Sequence, residues 1–363
     1  MVTPEFLGLY SGKRVMITGH TGFKGSWLAF LLNQIGADVL GYALPPLDKN
    51  NHFDMLGLSS LIEHVEADVR DDHKLMATMK EFQPEIVFHL AAQALVRPSY
   101  DEPRTTFETN VMGSINLLEA VRATGSVRSL VFITSDKCYE NVEWIWGYRE
   151  NDVVGGRDPY SASKGAAEIV FSSYARSFFH TRANLGTASA RAGNVIGGGD
   201  WAVDRIIPDC IRAIQSNKAI DIRSPHATRP WQHVLEPLSG YLLLGNRLYD
   251  NPKKYYGAWN FGPPSSQART VLDVAEHIVS RYGSGSIVTD KNSPKHHEAS
   301  LLQLNCDKSN QYLGWYPRWE VEKTLNMTSD WYQHVDDGVG AKEVTEQQLR
   351  EYFPEISDLI YPC

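Results

Sequence analysis

Apolar residues in the first half of the chain fall into short runs separated by segments of helical length. RVMIT at 14–18 is one such run; it ends in glycines and is followed by GSWLAFLLNQIG, long and apolar enough to predict a buried helix. The same unit then recurs. DVLGY at 38–42, EHVEADV at 63–69, EIVFHLAA at 85–92 and SLVFIT at 129–134 predict strands, with helix-length segments near 71–83 and 103–124 between them. Alternating strands and helices predict a parallel, doubly wound sheet. A loop at 140–157 leads into a predicted helix over 159–180, and GTASARA at 186–192 predicts one more strand.

After Asn194 the pattern breaks into short elements among Gly, Pro and Trp: VIGGGDW, RSPHATRPW, GPPSSQ and LGWYPRW. At 363 residues the chain also exceeds the roughly 250–300 residues beyond which one hydrophobic core stops growing. The expectation is an α/β protein of two lobes, a Rossmann dinucleotide domain over 1–193 and a smaller C-terminal substrate domain over 194–363. Segments at 234–248 and 258–262 look able to return to the main sheet, so the two domains should interleave near 232–262.

Composition narrows the class. A net charge of −8 argues against a nucleic-acid surface, so an anionic ligand must be held by a few local basic groups. The N-terminal MVTPEFLGLYSGKR lacks the apolar stretch of a secretory signal, and no window approaches about 18 consecutive apolar residues. Both readings predict a cytoplasmic protein with no membrane partner. Cys138, Cys210, Cys306 and Cys363 lie far apart with no C-x-x-C spacing, which predicts reduced thiols, no disulfide framework and no metal site.

Gly19, Gly22 and Gly25 stand in a G-x-x-G-x-x-G spacing between the first strand and the first helix. Glycines there permit a tight turn and close approach of backbone N–H groups to a pyrophosphate at the helix N-terminus. The whole turn, with His20, Thr21, Phe23 and Lys24, is therefore a candidate dinucleotide site. The second strand ends Tyr42-Ala43-Leu44, with no acid to grip a ribose 2′-hydroxyl and no Arg or Lys to meet a 2′-phosphate. NAD is the expected cofactor, with Asp68 and Val69 near its adenine and Leu90, Ala91, Ala92 and Asn110 completing the lining.

Tyr160 and Lys164 lie four apart at the start of a predicted helix, on one face, where the lysine can lower the tyrosine pKa and make it a base for a substrate hydroxyl. Tyr249 and Lys253 share the spacing, but Pro252 between them argues against a continuous helix. The strand SLVFIT ends in Ser135, Asp136 and Lys137, at the carboxyl edge where ligands sit in such sheets. Alone, Asp136 would suit a turn and Lys137 a solvated position; their joint placement makes them candidates.

With these motifs, and with LAAQALVRPSY, TSDKCYEN, RAGNVIGGGDW and RPWQHVLEP, the chain resembles the extended short-chain dehydrogenase/reductase family over nearly its whole length. Within that family it looks like the branch that dehydrates CDP-D-glucose. The glycine loop and the YSASK motif are shared by the whole superfamily, whereas TSDKCYEN and RAGNVIGGGDW are more specific. The resemblance implies an internal redox cycle on CDP-D-glucose as substrate. Tyr160, with Ser135 and Lys164, takes the C4 hydroxyl proton as hydride passes to NAD. Lys137 then removes the C5 proton, at a position where related dehydratases carry an acidic residue, and Asp136 protonates the departing C6 hydroxyl. It also implies Arg97, Asn194, Arg205 and Arg229 as diphosphate, ribose or sugar contacts. His296, His297 and Glu298 are expected to form an exposed loop and not a metal site. A 4-epimerase would share the loop, tyrosine and lysine but needs no acid and base for elimination, so Asp136 and Lys137 weigh against it. Apolar rows such as Ile115, Leu118 and Val121, or Ile169 and Val170, predict a homodimer or homotetramer through a helical interface.

Overall fold

The computed structural model describes residues 4–47, 49–289 and 301–356. In chain order the strands are β1 (Arg14–Thr18), β2 (Asp38–Ala43), β3 (Glu63–Glu66), β4 (Ile86–His89), β5 (Ser129–Ile133), β6 (Gly186–Arg191), β7 (Val195–Ile196), β8 (Ile220–Asp221), β9 (Thr228–Arg229), β10 (Gln232–His233), β11 (Gly257–Asn260), β12 (Arg269–Thr270) and β13 (Ile287–Val288). The helices are α1 (Phe23–Gln34), α2 (His52–Met55), α3 (Asp72–Phe82), α4 (Val96–Asp101), α5 (Pro103–Phe107), α6 (Gly113–Ala123), α7 (Pro159–Tyr174), α8 (Ile206–Gln215), α9 (Leu235–Asp250), α10 (Val271–Tyr282), α11 (Val321–Asp336) and α12 (Ala341–Tyr352).

Seven strands form one parallel sheet in the order β11-β6-β5-β4-β1-β2-β3. Helices cover both faces, which is why strands such as β4 and β5 are buried at every position and read as unbroken apolar runs. The strand order reverses at β1. The chain turns one way after β1 and the other way after β4, so a crevice opens between their carboxyl ends.

Two expected strands run past their ends. β3 stops at Glu66 and β4 at His89, so Ala67–Val69 and Leu90–Ala92 lie beyond the strand ends, with only the Ala67 and Leu90 N–H groups still bonded to the backbone of the neighbouring strands. The helix predicted over 103–124 is α5 and α6 joined by a wide π turn at Glu108–Met112, and that over 159–180 is α7 continued by a similar turn at Ala175–Phe179.

On one face α3, α6 and α7 bury Leu75, Leu118, Val121 and Phe171 against Met16, Val87 and Phe132 of the sheet. On the other, α1 and α9 lie between the sheet and the C-terminal helices α11 and α12. There Trp27, Phe30, Tyr241, Trp259, Trp331 and Tyr352 share one core that runs from Phe6 to Ile356. Covered on both sides, α1 is buried at every position from Gly25 to Leu32. Glu236 of α9 is buried in this core, where its carboxylate accepts from the Arg318 and Trp319 backbone N–H groups at 2.9 and 2.8 Å and from the Tyr352 hydroxyl at 2.5 Å. Burial pushes its carboxyl up to about 7.

The apolar rows expected to be exposed need correction. Leu118 and Val121 are fully buried, because that stripe of α6 faces the sheet, and Ile115 is half-buried. Phe107, Met112, Ile169 and Phe178 are the exposed apolar side chains on this group of neighbouring helices. Cys138 and Cys210 are buried and Cys306 half-buried, all as free thiols. Cys363, His296, His297 and Glu298 lie outside the described residues. Among the described residues no helix is long and apolar enough to cross a membrane.

Candidate active site

Asp158 caps α7 by accepting from the Ser161 N–H at 2.9 Å, and Pro159 fills the first helical position. This start places Tyr160, Lys164 and Glu168 on one buried stripe at a spacing of four. The Lys164 ammonium lies 5.9 Å from the Tyr160 ring centroid. Facing them, β5 runs out through Thr134 and Ser135 into a single 3-10 turn at Asp136–Cys138. The Ser135 hydroxyl donates to Asp136 Oδ1 at 2.8 Å and accepts from the Lys137 N–H at 3.2 Å. Asn194, held in the left-handed region at φ 55°, donates from Nδ2 to Asp136 Oδ2 at 3.4 Å. Asp136 is buried here only because residue 193 is glycine: a Cβ there would stand 1.9 Å from its carboxylate. Lys137 next to it is half-buried.

The electrostatics differ from the simple expectation that lysine lowers the tyrosine pKa. Burial pushes the Tyr160 phenol up to about 12, with the Asp136 charge adding to the rise and a hydrogen bond with Ser135 and the charge of Arg205 opposing it. Burial also draws Lys164 down to about 8, against the pull of Cys138 and Glu168. Lys24, half-buried in the first turn of α1, comes down to about 8 through burial and the nearby Arg205 and Lys164, while Asp136 and Asp200 resist. Three basic groups and two carboxylates thus share one small volume around Tyr160.

The glycine turn closes the other side. Gly19 sits at φ 80°, and a Cβ on Gly25 would fall 2.1 Å from the Gly19 carbonyl oxygen, so the turn is as tight as the spacing implied. α1 opens at Gly22 with no side-chain cap and no acid in its first turn, which leaves the positive end of the helix available to an anion. Leu90 and Ala91 cross close behind, their N–H groups bonded to the Thr18 carbonyl at 3.0 Å and hydroxyl at 3.3 Å, with Ala92 next. These residues fit the pyrophosphate of a dinucleotide. The His20 ring does not join them; it packs over Gly41, with Nε2 2.8 Å from His64 Nδ1. Thr21 donates to the Leu44 carbonyl at 2.8 Å, and Phe23 packs toward Gly197. Asn110 spends its amide inside the protein, accepting from the Gln93 N–H at 2.8 Å and donating to the Gln93 carbonyl and to Ser163, so it clamps the loop after β4 to α7.

Where the sequence led us to expect the adenine, Asp68 and Arg70 line a shallow depression with Asp71, Glu108 and Met112, and Val69 is buried. Arg70 was not anticipated at this end of the site. It is bound to Asp68 at 2.6 Å with Glu108 3.7 Å away, so its charge is already balanced. On the substrate side, Arg205 pairs with Asp200 at 2.9 Å, while Arg97 and Arg223 share Asp204 at 2.8 and 3.3 Å. Arg229 of β9 pairs with Arg269 of β12 in a separate two-stranded sheet.

This crevice can hold a dinucleotide against a sugar hydroxyl and offer that sugar a phenol, a buried acid and an amine. The family described as GDP-mannose 4,6 dehydratase matches residues 16–328. The chain belongs to the GDP-mannose 4,6 dehydratase family. Among curated members of this dehydratase group, the CDP-glucose 4,6-dehydratase of Salmonella typhimurium is 48% identical over 349 residues, covering 94% of this chain and 97% of that protein. Solved structures share the fold. An epimerase of Methanothermobacter thermautotrophicus matches with a TM-score of 0.78 at 23% identity, over 92% of this chain and 96% of its own. UDP-glucose 4-epimerase from Brucella ovis, solved in complex with NAD, matches with a TM-score of 0.75 at 20% identity, over 88% and 98%.

Proposed function

We propose that this dehydratase-family protein converts CDP-D-glucose to CDP-4-keto-6-deoxy-D-glucose and water, with NAD as its cofactor. The buried Asp136 carboxylate beside Tyr160 carries the reading, because a fixed acid at the strand end serves elimination and has no task in a simple 4-epimerisation. The 48% identity to a CDP-glucose 4,6-dehydratase across nearly the whole chain supports cytidine as the base. NAD, when bound, takes hydride from C4 and returns it to C6. Tyr160, in its phenolate form, accepts the C4 hydroxyl proton, with Ser135 sharing that hydroxyl and Lys164 one turn behind. The C4 ketone acidifies the C5 proton, which Lys137 in its neutral form removes and gives back to C5 when hydride reaches C6. Asp136, as the carboxylic acid, protonates the C6 hydroxyl, which departs as water. Arg97, Asn194, Arg205 and Arg229 hold the nucleotide sugar, the arginines exchanging their present acceptors for phosphate.

Incubation with a panel of nucleoside diphosphate glucoses tests the reading. CDP-glucose should give 4-keto product faster than the UDP, GDP and dTDP forms. An epimerised sugar with no 4-keto product would overturn it.

NAD is expected to support higher turnover than NADP, because Ala43 and Leu44 follow Tyr42 at the strand end and the nearby Arg70 is committed to Asp68. Equal or greater turnover with NADP on protein stripped of cofactor would contradict this. The exposed Phe107, Met112, Ile169 and Phe178 favour a homodimer, or a tetramer built from it. Light scattering at micromolar concentration should give at least twice the mass of one chain, and a monomer would dismiss the interface.

A further inference from the structure

Beneath the site runs a chain of buried polar groups for which the chemistry above has no use. Glu168 lies in α7 one turn beyond Lys164, on the same stripe, with 4% of its side chain exposed. Its Oε2 meets Arg191 Nη2 at 2.7 Å and accepts from the Ser189 hydroxyl at 2.8 Å, while Oε1 accepts from the Thr134 hydroxyl. Thr134 immediately precedes Ser135. Arg191, at the end of β6, continues the chain by donating from Nη1 to the Tyr139 hydroxyl at 2.7 Å and to the Glu150 carbonyl at 3.1 Å. Tyr139 immediately follows the turn Asp136–Cys138 and donates in turn to Asn260 Oδ1 at 2.8 Å. One carboxylate therefore ties both flanks of Ser135-Asp136-Lys137 to the helix that carries Tyr160 and Lys164.

Stability alone does not require such a pair, since well-packed apolar residues of similar volume do as well or better than a buried ion pair. Apolar residues could not supply a negative charge one helical turn from the Lys164 ammonium, nor acceptors for the strand end. We propose that Glu168 is a positioning residue of the reaction, which keeps Lys164 charged and fixes the strand end that presents Ser135 and Asp136 to the substrate. The inference rests on the dehydratase reading only for the identity of what is turned over.

The groups around Lys164 support this role. Tyr160 and Glu168 face it from its own helix, Cys138 from the strand-end turn, Lys24 from α1 and His89 from β4. Burial pushes the Cys138 thiol up and draws His89 down to about 3, so both stay neutral. Lys24 repels the ammonium. Glu168 is the fixed negative charge in this set, and it works against the burial that draws Lys164 down to about 8.

Glu168→Gln keeps the shape and removes the charge. The pH dependence of Lys164 acetylation by acetic anhydride, followed by peptide mass spectrometry on NAD-saturated protein, reports the protonation of Lys164 with no nucleotide sugar present. Its midpoint should fall by about one pH unit, roughly a tenfold loss of the protonated form at a given alkaline pH. With CDP-glucose, kcat should fall and the alkaline limb of its pH profile should move down in step, while KM stays near that of the unaltered protein. The double variant Glu168→Gln/Arg191→Met leaves no unpaired buried guanidinium and should give a midpoint between the two. Glu168→Asp, which retains the charge, should restore the midpoint. If the midpoint stays in place in both the single and the double variant, the proposal is overturned and the pair is packing alone. If it moves but the unaltered protein turns over no nucleotide sugar, the dehydratase reading fails and the role of Glu168 stands.

Discussion

Tyr160→Phe should abolish 4-keto product, exchange of the C5 proton with solvent and reduction of bound NAD together. Phenylalanine fills the same buried space in α7, where the tyrosine is 7% exposed, so the fold should survive the change. Only the oxygen is lost. That oxygen receives the C4 hydroxyl proton, and each later step depends on the ketone that this transfer makes possible. Removing a positioned base typically costs ~10²–10⁴-fold, and here the loss should appear equally in all three measurements. Product formation by the Tyr160→Phe protein at a near-normal rate would show that the phenol is not the base. The same centre sets a pH dependence. As Lys164 loses its proton near pH 8, the positive charge beside Tyr160 disappears, so turnover should decline through that range on the alkaline side.

Lys137→Met and Asp136→Asn should separate the steps that Tyr160→Phe removes together. With Lys137→Met the C4 hydroxyl can still reduce bound NAD, but the group that receives the C5 proton is gone. Absorbance of the reduced cofactor should then rise on the protein while C5 exchange, measured in deuterated solvent, stops. Asp136→Asn should permit that exchange and slow the loss of water, again by ~10²–10⁴-fold. Asparagine can still occupy the space beside Gly193 and accept from Ser135 through its one amide oxygen, so the change removes the acid while giving up only the long contact from Asn194. If the Lys137→Met protein exchanges the C5 proton at the normal rate, another residue is the base and Lys137 only contacts the substrate.

Much of this arrangement was legible because it is local. Parallel strands covered on both faces appear as unbroken apolar runs, and Tyr160 with Lys164, or Ser135 with Asp136, sit within one helical turn or one strand end. Strand ends were less clear, since Leu90–Ala92 are as apolar as β4 yet line the crevice. Leu118 and Val121 show a further limit: an apolar stripe on a helix fits a sheet or a second subunit equally well, and only packing decides. The contacts missed are those between distant parts of the chain. Nothing near Lys24 announces that residues 136, 164, 200 and 205 will surround it. The need for glycine at 193 becomes visible only when Asp136 is placed against it. The high pKa of Tyr160 likewise comes from burial, which no motif records.

The core on the α1 side of the sheet draws its residues from both ends of the chain, and this bears on how the protein is made. A ribosome releases α1 and the first six strands long before Arg318, Trp319 and Tyr352 exist to satisfy Glu236, and before β11 can seal the edge of β6. At synthesis rates of about 5–20 residues per second, the nascent chain must hold Trp27, Phe30 and an open parallel strand uncovered for on the order of ten seconds or more. Its yield in a cell therefore depends on whatever shields that face until the last helix emerges. Truncation anywhere before α12 should cost solubility well before it touches a residue of the crevice.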